Sequence, residues 1–240
     1  IASHDGIGLR PAEGILPESE VLSLVDGMHE YGGYVSMRTD QLGKESPYEI
    51  NIALFDALKG THLGKDEYQV QRFICAHTVM VALQGIPALY FHSITATGND
   101  YQGVEQTGRT RSINRRKWQY DELLDTLNNP TSPHAMVFHE LKRLLKIRRR
   151  QTAFHPDAIQ ETISLGENLF AFWRISTDMQ QRILAVSNLS PKIQILKLPE
   201  HPLVEGSGVW RDLIERTALG KNTRELKLYP YQSAWLEALD

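Results

Sequence analysis

The spacing of apolar residues changes near residue 150, and that change commits the chain to two kinds of architecture in series. Before it, "ESEVLSLVDGMHEYG" places Val21, Leu22, Leu24, Val25 and Met28 at helical intervals. "DEYQVQRFICAHTVMVALQG" stays helical until Gly85. "SPHAMVFHELKRLLKIRRRQ" predicts a third helix, with Ser132 as N-cap, Pro133 at the first position and a basic last turn that suits the helix dipole. After Gln151 the runs are short and rich in β-branched and aromatic residues: "AIQETISL", "NLFAFWRIS", "RILAVSNLS", "IQILKL", "GVWRDLI" and "RELKLYPYQSAWLEAL". Turn material such as "GEN", "TDMQQ", "LSP" and "EGSG" separates them, so each predicts a strand.

Within the first part, "GIPALYFHS" is a short apolar run bounded by Gly and Pro, which predicts a fully buried parallel strand. A second strand should end just before His4. Two parallel strands leave most of their backbone edges unpaired, so further strands must come from elsewhere. The expectation is α/β plus all-β: residues 1–151 as part of a larger α/β layer, and residues 152–240 as a small antiparallel β-domain of sandwich type.

Composition narrows the function. A formal net charge of −3 and a pI of about 6.3 provide no global field toward nucleic acid or acidic lipid. The basic run from Arg109 through Arg111, Arg115 and Arg116 to Lys117 is therefore read as a solvated face, apart from Arg111, and "RRR" at 148–150 as a helix C-terminus. Cys75 is the single cysteine, which excludes a disulfide framework and a cysteine zinc site and favours a reducing, cytoplasmic setting. No apolar run approaches the ~18 to 20 residues of a membrane span. His77, His134 and His139 lie on predicted helices without partners at metal-ligand spacing and read as structural; no metal and no cofactor is expected. Trp173, Trp210 and Trp235 sit in alternating strands and read as core rather than as a sugar-stacking row.

Chemistry concentrates at "IASHDGIGLRP". A His-Asp pair followed by Gly6 and Gly8 reads as a strand running into a tight loop, the kind of segment that carries sites. Alone, a His-Asp dipeptide is more often a solvated turn. It does not stand alone: "ASHDGIG", "SPYEINIALFDAL", "GIPALYFHSITATGND" and "RSINRRKW" follow one another in an order that resembles the C-terminal half of the α-amylase superfamily of glycoside hydrolases and phosphorylases. Within it the match is closest to the sucrose phosphorylase subfamily, and it covers nearly the whole chain.

The resemblance implies a C-terminal portion of a (β/α)8 TIM barrel, running from the end of strand 7 through the last helix, followed by the β-domain. His4 and Asp5 then lie at the C-terminal end of the seventh barrel strand, where barrel enzymes build their sites. "IPALYF" is the eighth strand, with Asn99 and Asp100 beyond it. Asp5 matches the carboxylate that stabilises the transition state, neither nucleophile nor proton donor; His4 helps hold the sugar ring, and Arg111 matches an arginine that contacts the far hydroxyl of the glucosyl unit. In the acceptor-site loop "RTDQLGKESPYEIN", Tyr48 matches a family tyrosine, while Glu49 stands where typical sucrose phosphorylases have Gln. The nucleophile and the acid/base belong to the fourth and fifth strands, outside this chain, and Glu20, Asp26 and Glu49 do not replace them.

The implied reaction is transfer of glucosyl from sucrose or a related α-glucoside to inorganic phosphate, with the N-terminal part of the same enzyme as partner and this chain inactive alone. Glucosylglycerate or phosphorylated sucrose as donor, an α-glucosidase, and a non-catalytic module that binds sugar or a partner chain are the alternatives. Nucleic-acid and membrane partners are not expected.

Overall fold

The elements are taken from a computed structural model, which describes residues 1–198, 209–220 and 223–239. The chain divides into two units, one of residues 1–70 and 89–138, the other of residues 71–88 and 139–240.

The first unit opens with β1 (Ile7–Gly8), α1 (Glu18–Glu30), β2 (Tyr34–Thr39) and β3 (Glu45–Asn51), and β1 and β2 pair antiparallel on either side of β3. Of the apolar residues at helical spacing on α1, Val21, Val25 and Met28 meet Leu9, Tyr31, Ile50 and Ile52 in one core cluster. Leu22 and Leu24 face solvent. The helix ends because Gly32 takes φ +90°, a conformation costly for other residues, and the Gly33 N–H then turns back to the Met28 carbonyl. After α2 (Leu54–Ala57) and the short pair β4 (Gly60–Thr61) and β5 (Gly64–Lys65) comes α3 (Gln69–Ala82), which belongs almost wholly to the second unit. The first unit resumes with α4 (Phe91–Ile94), α5 (Tyr101–Thr107), α6 (Tyr120–Asn128) and the start of α7 (Pro133–Arg148). The expected cap of α7 is present: the Ser132 hydroxyl accepts the Ala135 N–H at 3.0 Å.

The two barrel strands expected in this half are not strands here. Residues 1–3 and 86–90 belong to no ladder, and Ile86 is 83% exposed rather than buried. A parallel strand exists only through its neighbours' hydrogen bonds, and the neighbouring strands are not among these residues.

In the second unit, β6 (Ile159–Ser164), β7 (Leu169–Ile175), β8 (Arg182–Asn188), β9 (Gln194–Lys197), β10 (Val209–Asp212), β11 (Thr217–Ala218), β12 (Glu225–Leu228) and β13 (Ser233–Leu239) account for all six predicted runs. Six of them form an antiparallel sheet in the order β11-β10-β13-β8-β7-β6, while β12 and β9 form a separate ribbon. Leu196 and Leu228 of that ribbon join Leu169, Ala171, Trp173, Leu184, Val186 and Trp210 in one core. Among the described residues the second layer expected of a sandwich is thus this ribbon alone. The "EGSG" turn lies outside the described residues. Edge strand β6 is largely exposed along its length, whereas β7, covered on both faces, is buried almost continuously.

The carbonyls at the C-terminal end of α3 are satisfied by two arginines. Arg148 donates to the Val81 and Gly85 oxygens at 2.6 and 3.1 Å, and the wholly buried Arg174 donates to Ala82 at 2.8 Å. Arg148 is therefore more than the basic end of its own helix. Arg174 also binds the His155 carbonyl at 2.8 Å, and burial, then the nearby Arg148, lowers its pKa to about 10.

Two buried groups of this unit tie its stability to pH in opposite senses. His77, whose ring Nδ1 meets the Phe73 carbonyl at 2.8 Å, is pushed down to about 4 by burial. Between about 4 and the usual 6.5 the unfolded chain holds that proton and the folded chain does not, so this contribution is lost as pH falls. Asp212, raised to about 6 by burial, contributes in the reverse direction between the usual 3.8 and about 6. His77→Gln should therefore remove a term of roughly 3 kcal/mol: urea denaturation at a series of pH values should show the wild-type-minus-variant difference rising from pH 4 to 6.5. A constant difference would mean that His77 is not held neutral.

Candidate functional site

Strand β1 places Gly8 opposite Glu49 and Ile7 opposite Ile50, so the segment just before it, His4 to Gly6, passes over the end of β3. Asn114 fixes that segment from the other side. Its buried amide donates to the Ser3 and Asp5 carbonyls at 2.8 and 3.2 Å, while the Asp5 N–H donates to the Ser3 hydroxyl at 3.1 Å. Asn114 ends a 3-10 turn, Thr110–Asn114, that also presents Arg111. The turn is held in turn by the Asp100 N–H on the Ile113 carbonyl at 2.8 Å, and Asp100 caps α5 by accepting the Gly103 N–H at 2.9 Å. Asn99 accepts the Ala53 N–H at 2.8 Å. Asn99 and Asp100 are thus braces of the loop.

Four of the five expected site residues come together, with Asp5, Arg111 and Glu49 alternating in charge. Arg111 reaches Glu49 through two parallel bonds, Nε to Oε2 at 3.0 Å and Nη2 to Oε1 at 2.9 Å. Its Nη1 lies 3.7 Å from Asp5 Oδ1. His4 Nε2 stands 3.6 Å from the other Asp5 oxygen, a loose contact at an exposed position. The bidentate bond to Glu49, then its charge, holds the Arg111 pKa above the ordinary arginine value. Tyr48 joins through its backbone, its carbonyl accepting the Leu9 N–H at 2.9 Å.

Arg115 belongs with this cluster although the sequence placed it on a solvated face. Its Nε donates to the His4 carbonyl at 2.8 Å and its Nη2 meets Asp5 Oδ1 at 3.2 Å. The sequence carries no hint of this, because Arg115 lies just past the 3-10 turn in an irregular conformation, and only that bend brings it beside Arg111. Arg116 instead stacks over Trp118 at 3.9 Å and pairs with Glu122. Three of the five basic residues are thereby divided between two destinations, Arg111 and Arg115 at Asp5 and Arg116 at Trp118.

Asp5 and His4 keep 46% and 66% of their side-chain surface open, and Asp5, with Ser3 and Asn114, borders a hollow of about 350 Å³ whose other walls are largely apolar, among them Ile7, Ile52 and Leu54. A half-open carboxylate flanked by guanidinium groups offers acceptors and donors at hydroxyl spacing, which is the chemistry of polyol binding. Among the described residues no three or more His, Cys, Asp or Glu side chains are grouped to hold a metal ion, and no helix is long and apolar enough to cross a membrane. Trp173, Trp210 and Trp235 are buried, as the strand pattern implied, and offer no sugar-stacking row.

Asn114→Ala should cost about 1–3 kcal/mol, since two backbone carbonyls lose their donor. Hydrogen exchange should show residues 3–6 opening in the variant; unchanged protection there would contradict the clamp.

No protein-family model matches the chain. It is 37% identical over 237 residues to a glucosylglycerate phosphorylase of Escherichia coli (strain K12), a match covering 99% of this chain and 40% of that protein. It is 26% identical over 189 residues to a sucrose phosphorylase of Streptococcus mutans, covering 78% of this chain and 36% of that one. The chain spans 40%, 32% and 39% of the lengths of the three glucosylglycerate phosphorylases it matches. Among solved structures, a sucrose 6F-phosphate phosphorylase from Thermoanaerobacter thermosaccharolyticum superposes with a TM-score of 0.54 at 20% identity, over 77% of this chain and 37% of that one. AmyP in complex with maltose gives a TM-score of 0.59 at 13% identity, over 76% and 37%. At those identities the structures establish a shared fold.

Proposed function

We propose that the chain, which is similar to glucosylglycerate and sucrose phosphorylases and shares its fold with a solved sucrose 6F-phosphate phosphorylase, is the C-terminal part of a retaining α-glucoside phosphorylase of the α-amylase superfamily. In this reading residues 1–151 complete a (β/α)8 barrel and residues 152–240 form the β-domain that follows it in the chain. The nucleophile and the acid/base, ~5 to 5.5 Å apart in retaining enzymes, come from the N-terminal part.

The observation that carries the reading is the convergence of His4 and Asp5, Glu49, and Arg111, three stretches far apart in sequence, on one half-open cluster. Asp5 accepts hydrogen bonds from sugar hydroxyls. Those bonds strengthen as the ring flattens toward an oxocarbenium ion, so the binding energy is expressed at the transition state. Arg115 and Arg111 fix the Asp5 carboxylate so that it needs no reorganisation during the reaction, and His4 supports the ring from the open side. A carboxylate of the N-terminal part displaces the aglycone from C1, the acid/base protonating it. An oxygen of inorganic phosphate then attacks C1 and releases α-glucose 1-phosphate. Phosphate is a co-substrate here and no cofactor takes part; the lone buried Cys75 fits a cytoplasmic setting.

Glucosylglycerate is the favoured donor, with sucrose second. The support is the 37% identity to a glucosylglycerate phosphorylase against 26% to a sucrose phosphorylase, together with Glu49 at a position where the resemblance implies Gln in typical sucrose phosphorylases.

The test is phosphate-dependent release of glucose 1-phosphate from glucosylglycerate, sucrose, glucosylglycerol and sucrose 6-phosphate by the enzyme that contains this chain. Glucosylglycerate should react fastest, and Asp5→Asn should lower kcat/KM at least ~100-fold. Release of free glucose independent of phosphate would make the enzyme a hydrolase instead.

A further inference from the structure

Of the two carboxylates at the site, Asp5 keeps 46% of its side chain open, whereas Glu49 is buried with both oxygens engaged. Its side chain is 7% exposed, and both oxygens are taken by the fork of Arg111, itself 45% exposed. A carboxylate so far from water, with both oxygens bonded to the protein, has little left to offer an acceptor molecule; its partner arginine still has open surface. Burial of this kind requires room directly under the loop. Gly6 supplies it: a Cβ there would stand 2.6 Å from Glu49 Cγ and 2.6 Å from the Ile50 carbonyl oxygen. Those separations are shorter than carbon contacts allow, and the Ile50 oxygen is backbone that cannot rotate away.

Resting on the phosphorylase reading above, we infer that Glu49 is a positioning residue for Arg111, not a contact of the acceptor, and that Gly6 is the residue that permits it. The chain of consequence runs from an absent side chain to a buried carboxylate, from the carboxylate to the plane of the guanidinium, and from there to Asp5. Arg111 Nη1, left out of the fork, is the nitrogen turned toward Asp5 at 3.7 Å. Glu49 thus fixes which of the three nitrogens faces the sugar-binding carboxylate. A Gln in its place keeps one oxygen, loses the charge and offers Arg111 a single bond in place of two.

Donor and acceptor roles separate in kinetics. Hydrolysis of glucose 1-phosphate by water uses the glucosyl site without any acceptor, and synthesis from glucose 1-phosphate uses both. If Glu49 acts through Arg111, Glu49→Gln should slow hydrolysis and synthesis with every acceptor by a common factor of ~10 or more, carried by kcat, with acceptor KM unchanged. Arg111→Lys, which keeps the charge and removes the fork, should give the same acceptor-independent loss, and Glu49→Gln/Arg111→Lys should be no slower than the worse single variant. Gly6→Ala should move in the same direction. A loss confined to the KM of one acceptor, with glucose 1-phosphate hydrolysis at the wild-type rate, would return Glu49 to the acceptor site and overturn the proposal.

Should Glu49→Gln not fold, Arg111→Lys and Gly6→Ala decide the question by the same ratio. An enzyme with no phosphorolysis at all would defeat the functional reading instead. In that case the Arg111 Nε–H resonance still decides the pairing: shifted by Glu49→Gln supports it, and unmoved refutes it.

Discussion

A carboxylate held almost out of water sets the terms around it. Glu49 cannot stay charged in that position without a cation that satisfies both of its oxygens, and Arg111 does so with a planar fork. Once the arginine is committed, the 3-10 turn that carries it is committed too, and with it Asn114 and Arg115 a turn later. Those two residues seize the backbone of residues 3–5. The conformation of the His4-Asp5 loop is therefore a consequence of where one buried charge had to find its partner.

The second unit solves a different burial problem. Its six-stranded sheet has apolar residues on both faces, with the β9–β12 ribbon on one and aromatic packing such as Phe154 against Trp235 on the other. A two-faced sheet has no solvated side on which to leave a long polar residue, yet Arg174 sits in β7 with no exposed surface. It is tolerated because its guanidinium lies against carbonyls that a helix end leaves unsatisfied. The same logic places Arg148 on the neighbouring oxygens. Orphan acceptors and a buried cation largely offset each other, the Arg174 Nε alone of its guanidinium being buried without a hydrogen-bond partner.

Much of this was legible beforehand. The helices of residues 18–30, 69–82 and 133–148 and every β run after residue 150 follow from periodicity, because each element buries one stripe or alternates in and out regardless of what covers it. The Ser132 cap is local chemistry and equally readable. The strands expected at residues 1–3 and 86–90 were not realised, because a strand needs partners whose positions no local pattern contains. Arg115 was misassigned for a related reason. A run of five basic residues looks uniform in sequence, and only a tight turn followed by an irregular segment sends Arg111 and Arg115 to Asp5 and Arg116 to Trp118.

By itself the sequence determined the order and kind of most elements, that no disulfide can form within these residues, and, through its four motifs, the resemblance to the α-amylase superfamily. Each of these is a property of neighbours along the chain or of composition, which short-range sterics and apolar spacing express directly. The tertiary structure decided which charges meet. Asp5, Glu49 and Arg111 are separated by tens of residues, and their distances of 2.9 to 3.7 Å depend on strand register, on one turn and on the missing side chain of Gly6. Coulombic and hydrogen-bond energies are steep functions of distance, so a site exists only after the fold has fixed that distance to within a fraction of an ångström.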